Sequence, residues 1–146
     1  MIAKIVIADD DARMRQMLRQ IVSSLASAVY EAADGGEAVA LCAVERPDWV
    51  LMDLRMKPMD GLRATTQISA RFPKTRIAIV TQYDDLELRG EALRAGACAY
   101  ILKEEILKLP GVLLGELKNG GTNPDSSTLR QLNKTSAKPQ TQEPLK

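Results

Sequence analysis

A regular alternation of short apolar runs with longer amphipathic stretches constrains the fold of this chain more than any other feature. Because several runs consist of continuous aliphatic or β-branched residues, they predict parallel strands that are covered on both faces. Five strands alternating with five helices predict a doubly wound α/β domain, (βα)5, with a five-stranded parallel sheet. The predicted strands are 2–8, 28–31, 49–52, 77–80 and 99–102, and the predicted helices are 12–24, 35–44, 62–70, 85–94 and 110–118.

Three helix starts carry recognisable signals. Asp34 with Glu37, and Asp84 with Glu87, fit the N-cap and N3 positions of a capping box. Pro110 suits the first position of the last helix, since its fixed φ matches the first turn.

The composition changes near Asn119. Residues 119–146 contain no Ile, Val, Met or aromatic residue, and such a segment buries too little apolar surface to offset the entropy of ordering it. We therefore predict one folded domain over residues 1–118 and a disordered polar tail over 119–146.

The overall composition excludes several functions. The chain has no histidine, which rules out Ser-His-Asp and Cys-His sites and zinc sites with imidazole ligands. Its formal charge of +1 gives no general attraction to nucleic acid or an anionic membrane. Cys42 and Cys98 lie outside any C-x-x-C motif, and we expect both to be reduced and buried. With no apolar run of membrane-spanning length and no signal-peptide pattern, the sequence predicts a cytoplasmic protein.

The polar residues that follow the predicted strands indicate a functional site. These residues are Asp9, Asp10 and Asp11 after the first strand, Asp53 after the third, Thr81 at the end of the fourth and Lys103 after the fifth. In parallel α/β sheets, ligands bind outside the carboxyl ends of the strands. Clustered carboxylates repel one another unless a cation is present, and oxygen ligands suit Mg²⁺. The lysine ammonium and the threonine hydroxyl suit a phosphoryl group, so we expect an anion beside a metal, with Asp53 as a carboxylate nucleophile. Asp11 more simply fits a helix cap.

Several separated segments resemble one protein family. The segments KIVIADDDARMRQML, DWVLMDLRMKPMDGL, IAIVTQYDD and AGACAYILK are similar, in this order, to the receiver domain of bacterial two-component response regulators. The last segment is most similar to the receivers of LuxR-type transcriptional regulators. This resemblance implies a flavodoxin-like sandwich. It also implies a domain that accepts a phosphoryl group from a histidine kinase or a phosphotransfer protein. Such a domain assists its own phosphorylation and dephosphorylation but is not an enzyme.

The resemblance also assigns roles to individual positions. It implies that Asp53 is the phosphoacceptor, and that Mg²⁺ is held by Asp9, Asp10, Asp53 and the backbone carbonyl of Arg55. It implies that Lys103 pairs with the phosphoryl oxygens and that Thr81 hydrogen-bonds them. Tyr100 matches the aromatic residue whose rotamer couples to that threonine. The resulting switch would change the face formed by the fourth helix, fifth strand and fifth helix, where we also expect homodimerisation.

The sequence departs from the family pattern in two loops. Lys57 stands where the family usually has proline, and Pro58 follows it. Lys103 is followed by Glu104 rather than proline, so we do not expect a cis peptide there.

Residues near the predicted phosphoacceptor are also unusually large. Gln82 is bulkier than the usual small residue and is expected to narrow access to Asp53. Arg55 and Tyr83 occupy positions that flank the path of hydrolytic water in the family, and we hypothesise that this pair slows loss of the phosphoryl group.

Two further functions compete with the phosphorylated receiver. One is an interaction module that keeps the fold without being phosphorylated. The other is an aspartyl-phosphate hydrolase, which Arg55 disfavours because that class needs an acid at this position. The residues after 118 are too few and too polar for a helix-turn-helix domain. We therefore expect either a stand-alone receiver or a transcriptional regulator's receiver whose DNA-binding region is lost or was never part of the chain, and no direct DNA binding by this chain.

Overall fold

The computed structural model describes residues 1–116. The predicted tail over 119–146 and the end of the predicted last helix lie outside the described residues. Within 1–116, no helix is long and apolar enough to cross a bilayer.

Within residues 1–116, five strands and five helices alternate, as the sequence predicts. The strands are β1 Ile2–Ala8, β2 Ala26–Ala32, β3 Trp49–Met52, β4 Arg76–Thr81 and β5 Ala99–Leu102. The helices are α1 Ala12–Val22, α2 Gly35–Glu45, α3 Gly61–Arg71, α4 Leu86–Ala95 and α5 Leu109–Leu113, with a 3₁₀ helix at Lys103–Lys108.

All the strand pairs are parallel, and the sheet order is β2-β1-β3-β4-β5. The order reverses between β1 and β3, where a doubly wound sheet opens a crevice at the carboxyl ends of its strands. The flavodoxin-like fold is thereby confirmed.

Two apolar layers cover the sheet. On one face, Val6 and Ala8 pack with residues of α2, α3 and α4. On the other face, Ile5 and Ile7 pack with residues of α1 and α5. The alternation of side chains along β1 therefore supplies both layers, which explains why its sequence is an unbroken apolar run.

The helix caps confirm one predicted start and correct another. Asp34 caps α2 by accepting the Glu37 N–H at 3.0 Å. The prediction that Asp84 caps α4 is wrong: the cap is Asp85, whose side chain accepts the backbone N–H groups of Glu87 and Leu88. An aspartate can satisfy an N–H two residues ahead as well as three, so two adjacent aspartates leave the start ambiguous in sequence.

The last helix and the second cysteine also differ from expectation. The helix begins at Leu109, so Pro110 occupies its second position rather than its first. Cys42 is buried as expected, but Cys98, which directly precedes β5, is exposed.

Candidate functional site

Three aspartates meet at the carboxyl edge of the sheet. Ala8 and Met52 are register partners in β1 and β3, and the Asp53 N–H donates to the Ala8 carbonyl at 2.9 Å. This register places Asp53 beside Asp9 and Asp10. One carboxylate oxygen from each of the three lies within 4.8 Å of the others.

The three aspartates differ in environment. Asp9 and Asp53 are buried, whereas Asp10 is exposed. The Asp9 Oδ1 atom accepts the Asp11 N–H at 2.9 Å, and the Asp53 Oδ1 atom accepts the Leu54 N–H at 2.9 Å. Asp11 itself caps α1 through its side chain, which accepts the Arg13 N–H. The capping interpretation of Asp11 is therefore confirmed.

Lys103 joins the two buried carboxylates. Its Nζ atom lies 3.0 Å from Asp9 Oδ2 and 3.7 Å from Asp53 Oδ2. Burial opposes the charge on Lys103, but the hydrogen bond to Asp9 and the negative charges of Asp53 and Asp9 outweigh it, so the pKa of Lys103 is raised. The ammonium is therefore fixed as a cation at the floor of the site.

One ammonium does not fully offset two buried carboxylates. Burial, followed by the charge of Asp9, raises the pKa of Asp53 from 3.8 to about 6, although Lys103 acts in the opposite direction. Asp9 Oδ2 is buried, and within the described part of the chain it contacts the Lys103 ammonium at 3.0 Å without a further hydrogen-bond donor. Hard oxygen donors with incomplete hydrogen bonding suit a divalent cation, so this donor set fits a metal ion.

Thr81 and Tyr100 are connected through the loop after β4. Thr81 ends β4 and is fully buried, and its Oγ1 atom accepts the Tyr83 N–H at 3.3 Å. Tyr100, on β5, is also buried and donates its hydroxyl hydrogen to the Tyr83 carbonyl at 2.7 Å. Both side chains therefore contact the backbone of Tyr83.

The bulky pair predicted near Asp53 is in contact. The guanidinium of Arg55 lies 4.8 Å from the centroid of the Tyr83 ring. This contact links the loop after β3 to the loop after β4. Gln82 lies in the same loop as Tyr83 and is exposed.

The departures in the loops have different outcomes. The Lys57–Pro58 peptide is cis, while the Lys103–Glu104 peptide is not among the cis bonds of the described residues. The expectation of an ordinary trans bond before Glu104 is therefore confirmed. The chain passes from β5 into the 3₁₀ helix at this point.

Two arginines near the site were not predicted from the sequence. Arg15 on α1 donates from Nη1 to the Asp9 carbonyl at 2.6 Å. Arg89 on α4 is 7% exposed, and its guanidinium lies 4.6 Å from the centroid of the Tyr100 ring. Arg15 and Arg19 are one turn apart on a helix next to β2, which ends near Glu31. This spacing of four residues is the sequence feature that could have indicated a shared carboxylate partner for Arg15.

Comparison with known proteins agrees with this geometry. The family model described as the response regulator receiver domain matches residues 5–109. The oxygen regulatory protein NreC of Staphylococcus haemolyticus is 48% identical over 103 residues, which cover 68% of this chain and 48% of that protein. The uncharacterized transcriptional regulatory protein YhcZ of Bacillus subtilis is 44% identical over 121 residues, which cover 79% of this chain and 56% of that protein. The chain thus spans about half the length of these curated relatives.

Solved structures give the same result. A LuxR-family two-component response regulator from an Aurantimonas species superposes with a TM-score of 0.75 at 28% identity, covering 94% of this chain and 99% of that one. The response regulator domain of Thermotoga maritima CheB superposes with a TM-score of 0.72 at 25% identity, covering 85% of this chain and 100% of that one. From the family match, the identity and the shared fold together, this chain belongs to the receiver domain family of two-component response regulators, whose members are phosphoacceptor signalling domains.

Proposed function

We propose that Asp53 accepts a phosphoryl group from a phosphohistidine of a sensor histidine kinase or a phosphotransfer protein. The observation that carries this proposal is the convergence of the Asp9, Asp10 and Asp53 carboxylates within 4.8 Å, with the Lys103 ammonium 3.0 Å from Asp9 and 3.7 Å from Asp53. No structural role requires three carboxylates at one sheet edge, because their mutual repulsion destabilises the fold.

Transfer of the phosphoryl group to Asp53 forms one bond to phosphorus and breaks another. A carboxylate oxygen of Asp53 attacks the phosphorus in line, a phosphorus–oxygen bond forms, and the phosphorus–nitrogen bond of the donor breaks. The leaving nitrogen keeps the electron pair and takes up a proton. Lys103 faces the oxygens that gain negative charge, and Thr81 supplies a hydroxyl donor on the neighbouring strand.

We further propose Mg²⁺ as the ion held by Asp9, Asp10, Asp53 and the Arg55 carbonyl. When bound, it neutralises phosphoryl oxygens and offsets the repulsion among the aspartates. The chain's own carboxylates would hold it, while Lys103 lies 3.7 Å from Asp53. The nearby Arg55 side chain turns toward Tyr83, which leaves the metal to the backbone of that loop.

Phosphorylation is tested directly by mass spectrometry. The protein is incubated with Mg²⁺ and acetyl phosphate, and we expect one added phosphoryl group that Asp53→Ala abolishes. Asp11→Asn is the matched control, because it changes an adjacent exposed aspartate and retains an oxygen for the α1 cap; it should keep the adduct. An unmodified wild-type protein would instead support the interaction module that is never phosphorylated.

We propose that the phosphoryl group acts on the face formed by α4, β5 and α5. Thr81 then turns its hydroxyl to the phosphoryl group, which releases the Tyr83 N–H and disturbs the backbone that Tyr100 contacts. Exposed leucines near this face support a partner or homodimer surface: Leu86 on α4 and Leu107 on the 3₁₀ helix are 65% and 84% exposed.

Sedimentation velocity before and after acetyl phosphate tests the homodimer. We expect a phosphorylation-dependent dimer that Leu107→Ser weakens. Val44→Ser is the control, since Val44 is 76% exposed but lies on α2. A sedimentation coefficient that stays monomeric in both states contradicts the homodimer.

The contact between Arg55 and Tyr83 supports slow loss of the phosphoryl group. The cation–π attraction holds the two side chains together, and we expect the pair to obstruct the path of hydrolytic water. We expect the double variant Arg55→Asn with Tyr83→Ala to lose the group faster, by about tenfold, a barrier change of roughly 1.4 kcal/mol. Lys74→Asn, which removes a positive charge far from the site, should match the wild type. Unchanged or slower loss in the double variant contradicts this role.

A further inference from the structure

Arg15 connects three elements on one side of the acidic site. Its Nε atom donates to Glu31 Oε1 at 3.0 Å, and its Nη1 atom donates to the Asp9 carbonyl at 2.6 Å. The side chain is only 18% exposed. A single guanidinium on α1 therefore bridges the end of β2 to the residue that follows β1.

Glu31 holds this guanidinium in place. It also accepts a 2.7 Å hydrogen bond from Arg19, whose Nη2 donates to the Val29 carbonyl at 3.1 Å. The hydrogen bonds from Arg19 and Arg15 lower the pKa of Glu31 despite some burial. Glu31 is therefore ionised at neutral pH and anchors both arginines.

The Arg15 bond fixes the peptide between Asp9 and Asp10. The Asp9 N–H donates to the Ala32 carbonyl at 3.1 Å, and the Asp9 Oδ1 accepts the Asp11 N–H. With its carbonyl held as well, Asp9 has no free backbone group. The plane of the following peptide is set, and with it the direction in which Asp10 projects.

Asp10 depends on this backbone more than its two companions. It is exposed, and within residues 1–116 its carboxylate makes no hydrogen bond or ion pair, whereas Lys103 contacts both Asp9 and Asp53. No side chain therefore orients Asp10 toward the other two carboxylates. The orientation of Asp10 therefore depends on the peptide between Asp9 and Asp10, whose carbonyl accepts the hydrogen bond from Arg15.

We infer that Arg15 is a positioning residue for the metal site, acting through the Asp9 carbonyl to aim the carboxylate of Asp10. This inference rests on the proposed metal-dependent phosphorylation. Arg15 suits the role because a planar guanidinium donates in two fixed directions, to a carboxylate and to a carbonyl, at the same time. Partners that orient metal ligands typically contribute about 10- to 100-fold to metal affinity.

The experiment compares Arg15→Met with Arg19→Met. Both variants remove one positive charge from the same helix and one hydrogen bond from Glu31, but only Arg15 reaches Asp9. The dissociation constant for Mn²⁺ is measured by the electron paramagnetic resonance of the free ion, without any phosphoryl donor, and Mg²⁺ is measured by competition. We expect about tenfold weaker binding in Arg15→Met and wild-type binding in Arg19→Met.

A second readout separates positioning from chemistry. Since Arg15 does not face the reacting atoms, the phosphorylation rate of Arg15→Met with acetyl phosphate should return to the wild-type value at saturating Mg²⁺. If the methionine variant fails to fold, Glu31→Gln replaces it, because losing the charge loosens the guanidinium while keeping an acceptor. It should weaken Mn²⁺ binding in the same direction by a smaller factor.

Three results would overturn the inference. Equal weakening by Arg15→Met and Arg19→Met would mean that the cluster only joins α1 to β2. Unchanged Mn²⁺ affinity in Arg15→Met would remove the positioning role while leaving the proposed function intact. A wild-type protein that binds no Mn²⁺ or Mg²⁺ would remove the proposed metal itself, and the inference with it.

Discussion

Two lysine–carboxylate pairs, one at each edge of the sheet, have the same length and opposite surroundings. Lys4 and Glu45, at the amino edge, are 3.0 Å apart with side chains 39% and 23% exposed. Lys103 and Asp9, at the carboxyl edge, are also 3.0 Å apart, but Asp9 is 2% exposed and a second carboxylate lies 3.7 Å from the ammonium. Distance alone therefore does not distinguish a surface ion pair from a functional one.

The surrounding polar groups explain the difference. At the amino edge, Asp48 Oδ2 accepts the N–H groups of Ala3 and Lys4, and the Thr75 hydroxyl donates to the Pro47 carbonyl. Each of these polar groups therefore has a hydrogen-bond partner at the amino edge. At the carboxyl edge, burial and the neighbouring carboxylate raise the pKa of Asp53 to about 6. The polar groups of the amino edge thus serve the fold, whereas the carboxyl edge carries buried negative charge that one lysine does not fully offset.

Removing each lysine in turn gives the largest expected contrast. Lys103→Met leaves two buried carboxylates without their cation and should lower the free energy of unfolding by about 2 kcal/mol, less than a fully buried pair because Lys103 is partly exposed. Lys4→Met should have a much smaller effect, since water solvates Glu45. Urea unfolding of both variants measures the difference. Equal losses would show that the two edges are energetically alike.

Asp53→Asn should stabilise the metal-free protein even though it prevents phosphorylation. The folded-state pKa of Asp53 is raised from 3.8 to about 6, so the folded state holds the proton more tightly and its stability falls as pH rises through 6. At pH 7.5 with a chelator, we expect the variant to melt about 5 °C higher than the wild type.

Near pH 4 this advantage should disappear, because Asp53 is then protonated in the folded wild type. Asp11→Asn should show no such pH-dependent gain. Thermal unfolding at the two pH values provides the measurement, and a gain for Asp53→Asn that does not vary with pH would contradict the explanation.

Asp48→Ala tests the hydrogen bonds at the amino edge. It removes the acceptor of two backbone N–H groups, which water can partly replace, and should cost about 1 kcal/mol of stability. Asp48→Asn retains an acceptor oxygen and should cost less. Both variants should be phosphorylated at the wild-type rate, measured with acetyl phosphate. A slower rate in either one would mean that the two edges are coupled.

The smallest expected effect is the coupling energy between Arg89 and Tyr100. The buried guanidinium of Arg89 contacts the Tyr100 ring and lies 3.9 Å from Asp84. A double-mutant cycle with Arg89→Met and Tyr100→Leu should yield a coupling energy of about 0.5–1 kcal/mol. Zero coupling would show that the ring does not stabilise this charge and that Arg89 depends on other partners.

Much of the fold follows from local patterns. Strands β1, β3 and β5 begin and end at the predicted residues because continuous apolar runs are bounded there by polar ones. Strand β2 and helix α3 extend beyond their predicted bounds, since hydrogen bonding to neighbours continues past the apolar pattern. The predicted burial of Cys98 was wrong. The residues next to a cysteine in the sequence do not show whether other elements of the fold will cover it.

The candidate site divides in the same way. Asp9, Asp10, Asp53, Thr81 and Lys103 could be identified because each follows or ends a predicted strand. Their placement at one edge of the sheet then follows from parallel topology. The contacts of Arg15 with Asp9 and of Arg89 with Tyr100 could not be identified, because both arginines are ordinary polar residues of amphipathic helices. Their contacts depend on how those helices pack against β2 and β5.

The order of residues alone thus determined the (βα)5 architecture and the set of acidic and basic groups at the carboxyl edge, because hydrophobic periodicity and strand ends are local properties. Only the tertiary structure decided that Lys103 lies between two buried carboxylates and that Arg15 holds the Asp9 carbonyl. These contacts join residues far apart in the chain, and their distances depend on the register of the strands and the seating of the helices on the sheet.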